Sequence, residues 1–361
     1  MSLRERIAAE IRAGGPIGVE RYMDLCLHDP LDGYYATRPR LGAEGDFVTA
    51  PHVSQMFGEL LGAWAVETWA AMGRPARVRL VELGPGDGTM LGDMLRVAAR
   101  VPEFLAAAEI WLVEPSAPLA ERQRRALRCV QGLRWAASPA DLPRDTPMVL
   151  IANEVLDCLP VRQAVASPAG WRERRVGLAP DGGLAFTPGE AVAPPWTPAG
   201  APVGAVVEWS PALEAFGALV GDLIARAGGA ALFIDYGRAE AEAGDTLQAL
   251  AGHVRRDPLA DPGEADLTAH VDFPAFLAAA RGAGACPEAV LTQAAFLRAL
   301  GVELRADALA RARPDKADVV LRQLRRLIAP DQMGLLFKVA CVHSPGLAVP
   351  GFAAADGAVL R

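Results

Sequence analysis

Three glycines at alternating positions, Gly84, Gly86 and Gly88, follow the acidic Glu82 at the end of an apolar run in the stretch VELGPGDGTM, residues 81–90. Such glycines, with Pro85 between the first two, let the chain turn tightly and let a ligand come close to the main chain. In an open α/β sheet, ligands sit beyond the carboxyl ends of the strands, where a glycine-rich first turn would lie. A dinucleotide fingerprint spaces its glycines G-x-G-x-x-G. Here Thr89 occupies the third place and Gly88 comes one residue early. A tight strand-to-helix turn without a ligand is the bland alternative. Glu114, at the end of the next apolar run, speaks against it, because an acidic side chain there can accept both hydroxyls of a ribose.

The form E-x-G-x-G-x-G is the pattern of class I S-adenosylmethionine methyltransferases. That cofactor has no pyrophosphate to place on a helix N-terminus. It carries an ammonium, a carboxylate, a sulfonium and an adenosine, so Glu82 can offset the cationic end while loop main-chain groups meet the carboxylate. A second informative stretch is IANEVLDCLPV, residues 151–161, which follows the fourth parallel run, where this fold holds a methyl acceptor. Glu154 and Asp157 stand three apart and would share a face of a first helical turn. Two carboxylates there can clamp a guanidinium through charge-assisted bonds and orient one nitrogen for attack on a methyl group. The bland reading makes them acids favoured by a helix N-terminus.

The elements that must position these groups follow from the rhythm of the chain. Short apolar runs, VRLVEL, EIWLVEP, PMVLIAN and AALFIDYG, alternate with helical segments and predict a parallel sheet covered on both faces. The expected fold class is α/β: a class I, Rossmann-like core with a mostly parallel seven-stranded sheet, a helical N-terminal cap over residues 1–75, and a core over 76–361. Alternation and glycine turns over 161–204 predict an antiparallel β insertion, and 238–272 reads as a second insertion. Pro188 to Pro202 reads as a surface connector. The stretch from Ser54 to Met72 reads as a helix. Met333 to Val342 reads as a last strand, hairpin-paired with a run near Cys286 to Leu291.

Composition bounds the function. The 361 residues are 52% hydrophobic, and no apolar run is long enough to cross a bilayer, so membrane insertion is not expected. With 36 basic against 43 acidic residues and no basic block, nucleic acid is not an expected partner. Five scattered cysteines without a C-x-x-C pair fit a reducing cytoplasm, and the N-terminus lacks the features of a secretory or transit leader. His253 and His270 lack a third ligand at workable spacing, so no metal is expected. Tyr34 and Tyr35 either line an acceptor channel or pack the cap. Asp235 and Tyr236 end the fifth core strand at the ligand edge.

With these motifs read, the chain resembles the MidA-like family of S-adenosylmethionine-dependent methyltransferases. The resemblance runs through RYMDLCLHDPLDGYY, GDFVTAPHVSQMFGELLGAW, VELGPGDGTM, ANEVLDCLPV and FIDYG to DPGEADLTAHVDF and TQAAFLRALG. It implies methylation of a protein arginine to symmetric dimethylarginine, with the respiratory complex I subunit homologous to the 49 kDa protein as acceptor during assembly. It further implies that Glu82, Gly84, Pro85, Gly86, Gly88, Glu114 and Asn153 hold the cofactor, and that Glu154 and Asp157 form the acceptor site. Residues 44–51 would fold over the cofactor, with Phe47 and Thr49 closing its pocket. Two positions depart from the pattern: His52 replaces the glutamate of T-x-P-E, and Asp87 replaces the arginine of G-P-G-R-G. A small-molecule methyltransferase and an assembly chaperone with a vestigial cofactor site are the competing readings, and a nicotinamide enzyme trails because Thr89 breaks the fingerprint. Monomer and homodimer both stay open.

Overall fold

The computed structural model describes residues 1–37, 49–252 and 254–352. The chain divides into two compact units. One takes the N-terminal helices with Leu156–Phe216 and Gly237–Phe276. The other takes the chain from Thr49 to Val155, Gly217–Tyr236, and the chain from Leu277 onward.

In the second unit the apolar runs become strands β1 (Val78–Leu83), β2 (Ala108–Val113), β3 (Arg134–Ala136), β4 (Met148–Asn153), β5 (Gly229–Arg238) and β6 (Phe337–His343). Every residue of β1, β4 and β5 is buried, which is why these strands read as continuous apolar runs rather than alternating ones. Their order is β3-β2-β1-β4-β5-β6, parallel except for β6, which runs antiparallel to β5 with Asp235 opposite Lys338. Cys286–Pro287 and Leu291–Thr292 pair with the free edge of β6 and fill the seventh position. From β1 the chain builds outward one way through β2 and β3, then returns to build the other way through β4 and β5. The switch point therefore lies between β1 and β4, where open α/β sheets hold their ligands. This is the Rossmann-like architecture expected. Residues Met333–Leu336 form a helical turn, so the last strand starts at Phe337 rather than Met333. The preceding turn fixes this: Gly334 N–H bonds Ala329 O at 3.2 Å.

The helix Gln55–Ala71 packs on the helix Thr89–Ala98 that follows the glycine turn. A Cβ at Gly62 would lie 2.5 Å from Met94 O, so this close crossing requires glycine. Phe57, Leu60, Leu61 and Trp64 of the first helix belong to the same buried cluster as β1 and β4. A boundary at residue 75 therefore differs from the observed grouping, in which this helix goes with the sheet. In the other unit, helices Leu3–Gly14 and Val19–His28 bury Ile7, Ile11, Tyr22 and Leu27 in one cluster with Val161, Val176, Leu247 and Leu267. A capping box fixes the first of them: Ser2 Oγ accepts from Glu5 N–H and Glu5 Oε2 from Ser2 N–H. The antiparallel insertion is present as Arg162–Ser167, Gly170–Leu178, Leu184–Ala191 and Val206–Trp209. The third of these pairs only with the second, an edge placement that tolerates Pro188 and starts the connector later than expected. Among the described residues no helix is long and apolar enough to cross a membrane.

Candidate active site

The turn after β1 carries positive φ at all three glycines: +59° at Gly84, +57° at Gly86 and +87° at Gly88. A side chain is strained at each. At Gly84 a Cβ would also lie 2.7 Å from Val155 Cγ2, on the loop after β4. The glycine turn and the β4 loop thus meet at the switch point.

Two buried oxygens there have no hydrogen-bond partner among the described residues: Glu82 Oε2 and Asn153 Oδ1. Burial, with the nearby Asp87 second, pushes the Glu82 carboxyl well above the usual carboxylate range. Glu114 ends β2 and is also buried. Its Oε1 accepts from Ser116 N–H at 2.8 Å and its Oε2 from Gln123 Nε2 at 3.0 Å, while burial raises its pKa. Each of these oxygens keeps a lone pair for a further donor. Orphaned acceptors beside a crowded glycine turn suit a ligand rich in donors, such as one bearing an ammonium and a ribose. S-adenosylmethionine fits such a set: Glu82 would meet its cationic end, Glu114 its ribose, and the turn its methionine carboxylate.

Glu154 leaves β4 in the left-handed region, φ +55°, where a non-glycine residue is strained. Its N–H continues the sheet ladder to Ile234 O at 2.8 Å, and Asn153 Nδ2 donates to its Oε1 at 2.8 Å. Residues 154–160 form bends and a turn, which corrects the expectation of a helical turn presenting Glu154 and Asp157 on one face. Two features cause this: positive φ at Glu154 is not helical, and Val155 N–H is taken by Asp235 Oδ2 at 3.1 Å. Asp235 is fully buried, and its Oδ1 accepts from Tyr236 N–H, so it shapes the loop. Tyr236 is buried in the core edge-on to Phe337, with ring centroids 5.5 Å apart.

Asp157, Tyr34 and Tyr35 belong to the other unit. Asp157 is buried, and its carbonyl accepts from Ala269 N–H at 3.0 Å. Tyr34 packs in that unit's core, edge-on to Tyr35. Tyr35 donates to Asp266 Oδ1 at 3.2 Å, and its hydroxyl is pushed far up by burial and then by Asp266. Phe47 and His253 lie outside the described residues. Among the described residues no group of three or more His, Cys, Asp or Glu could hold a metal.

The two departures from the family pattern touch each other. His52 Nε2 donates to Asp87 Oδ2 at 3.0 Å, Thr49 Oγ1 lies 2.8 Å from His52 Nδ1, and Asp87 Oδ1 accepts from Thr89 N–H at 3.0 Å. Acid and base have exchanged sides. The bond to Asp87 raises the His52 pKa. Burial would raise Asp87, but hydrogen bonds from His52 and Thr89 prevail and bring it down to about 2. Gln123 is the residue that sequence reading missed. Its signal was a lone amide on the buried stripe Leu119, Ala120, Gln123 and Leu127 of an otherwise charged helix.

A family profile for S-adenosyl-L-methionine-dependent methyltransferases matches residues 60–289. The protein arginine methyltransferase NDUFAF7, mitochondrial, of Bos taurus is 36% identical over 91% of this chain and 80% of its own length. Its Drosophila melanogaster homolog is 33% identical over 96% of this chain and 85% of its own. A Burkholderia thailandensis protein, solved bound to S-adenosyl-homocysteine, superposes with a TM-score of 0.83 at 31% identity, covering 98% of this chain and 94% of its own.

Proposed function

The chain belongs to the S-adenosyl-L-methionine-dependent methyltransferase family, and from that premise we propose that its acceptor is a protein arginine. The proposed substrate is the complex I subunit homologous to the 49 kDa protein, and the product is symmetric dimethylarginine. The single observation that carries it is Glu154: a carboxylate held at the carboxyl end of β4 in a strained backbone, its N–H tied to the sheet and one oxygen oriented by Asn153. Strain of this kind persists where surrounding structure over-determines it, as at active sites. When bound, S-adenosylmethionine supplies an electrophilic methyl group on a sulfonium. Glu154 then binds the cationic guanidinium by a charge-assisted hydrogen bond and fixes which nitrogen faces the methyl group, so that positioning supplies most of the rate. Asn153 holds that carboxylate in plane, and Asp235 keeps the loop from becoming helical. The printed names of the relatives, protein arginine methyltransferases, support the acceptor class. Five free cysteines support placement in the cytoplasm, which subcellular fractionation tests.

The test separates Glu154 from the cofactor site. Glu154→Gln keeps size and removes charge, so turnover on an arginine peptide from the complex I subunit falls by orders of magnitude, about 2–5 kcal/mol for a truncated buried charge pair. S-adenosylhomocysteine affinity stays near wild type. Unchanged turnover removes Glu154 from the acceptor site, and joint loss of both reassigns it to the cofactor pocket.

A further inference from the structure

Gln123 lies fully buried, with its three polar bonds distributed over three separate elements of the cofactor site. Nε2 donates to Gly86 O at 2.9 Å and to Glu114 Oε2 at 3.0 Å, and Oε1 accepts from the indole Nε1 of Trp135 at 3.0 Å. We infer that Gln123 is a positioning residue for cofactor binding: it locks the peptide after Gly86 and the carboxylate of Glu114 at a fixed spacing, so that both ends of the cofactor meet preset partners.

The chemistry leaves little choice of side chain. The position needs two donors on one atom and an acceptor on the next, which a neutral amide supplies. A carboxylate could not donate to Gly86 or Glu114, and a lysine or arginine could not accept from Trp135. Because the peptide is planar and trans, holding Gly86 O toward Gln123 turns the N–H of Asp87 to the opposite side. Gly86, at positive φ and without a Cβ, does not itself restrict that peptide as another residue would. Glu114 is held at both oxygens, Oε1 by Ser116 N–H and Oε2 by Gln123, which sets the plane of its carboxylate. Gln123 itself is kept from flipping by Trp135, on the strand β3. The inference rests on the cofactor assignment and not on the identity of the acceptor.

The test uses the full chain and S-adenosylhomocysteine as probe, with calorimetry on wild type, Gln123→Leu, Glu114→Gln and the double variant. Losing a hydrogen bond to a charged group predicts an affinity about ten- to a hundred-fold weaker in Gln123→Leu. At saturating cofactor its kcat stays within about three-fold of wild type, because the acceptor side is untouched. If Gln123 acts through Glu114, the double variant is weaker than wild type by less than the product of the two single effects. Should Gln123→Leu not fold, Gln123→Met replaces it: it keeps the length of the side chain but cannot donate, and the same loss is expected. A folded variant with wild-type affinity overturns the inference. So does a variant whose KM for cofactor is unchanged while kcat falls, or a double variant whose losses simply multiply.

Discussion

At residue 82 the protein buries a carboxyl whose Oε2 finds no hydrogen-bond partner among the described residues, and burial holds its pKa well above the ordinary range. A cofactor ammonium held by Glu82 would reverse that preference. Below the raised value the free site keeps its proton, whereas the bound site favours the carboxylate, so binding expels a proton. Affinity for S-adenosylhomocysteine is therefore expected to climb as pH rises from the usual carboxylate range toward the raised value, then level off. Calorimetry in two buffers of different ionisation heat measures the proton released, and Glu82→Gln should remove both the release and the pH dependence. Wild-type binding without proton release would place the ammonium elsewhere. The glycine turn at Gly84, Gly86 and Gly88 was legible in the sequence because it is local, set by spacing from a strand end. Asp235 was not, because its bond to Val155 N–H spans 80 residues of chain. Its buried carboxylate looked like a site acid from its place alone.

The elements around the turn are tied by His52 and Asp87, which join the segment before the helix Gln55–Ala71 to the glycine loop. The sequence showed each as an isolated departure. Only their contact shows that one compensates the other, and a 35-residue separation hides it. The His52 pKa is raised, so its contribution to stability is complete below its ordinary value of 6.5 and is lost as pH rises through the folded value. Asp87 is depressed, so its contribution is present above 3.8 and lost as pH falls through about 2. The pair thus stabilises best between these limits. His52→Glu places two acids together and should lower stability by about 1 kcal/mol, a modest figure because the Asp87 side chain is 40% exposed. Adding Asp87→Arg should restore it and abolish the loss at alkaline pH, since arginine stays charged. Thermal unfolding across pH reads both effects. Additive damage in the double variant would show that the two positions do not act as a pair. The 154–160 loop teaches a similar lesson. Two acids three apart suggested a helix face, but one left-handed residue and one captured N–H redirect the chain.

For the molecule as a whole, the sheet was readable because strands buried on both faces appear as unbroken apolar runs, and β1, β4 and β5 were each found this way. The division into units was less readable. Val19, Tyr22 and Leu27 share a core with Val161, Val176 and Leu267, residues more than a hundred positions away, so no local signal marks the grouping. The family and the cofactor follow from the fold and the relatives, and the acceptor is what the account adds. The measurement that tests it most directly is mass spectrometry of the complex I subunit homologous to the 49 kDa protein after incubation with the purified chain and S-adenosylmethionine. The account predicts dimethylation of an arginine by the wild type, in the symmetric form, and none by Glu154→Gln at equal cofactor occupancy. A subunit left unmodified by an enzyme that binds cofactor normally, or methylated at a residue other than arginine, would contradict it.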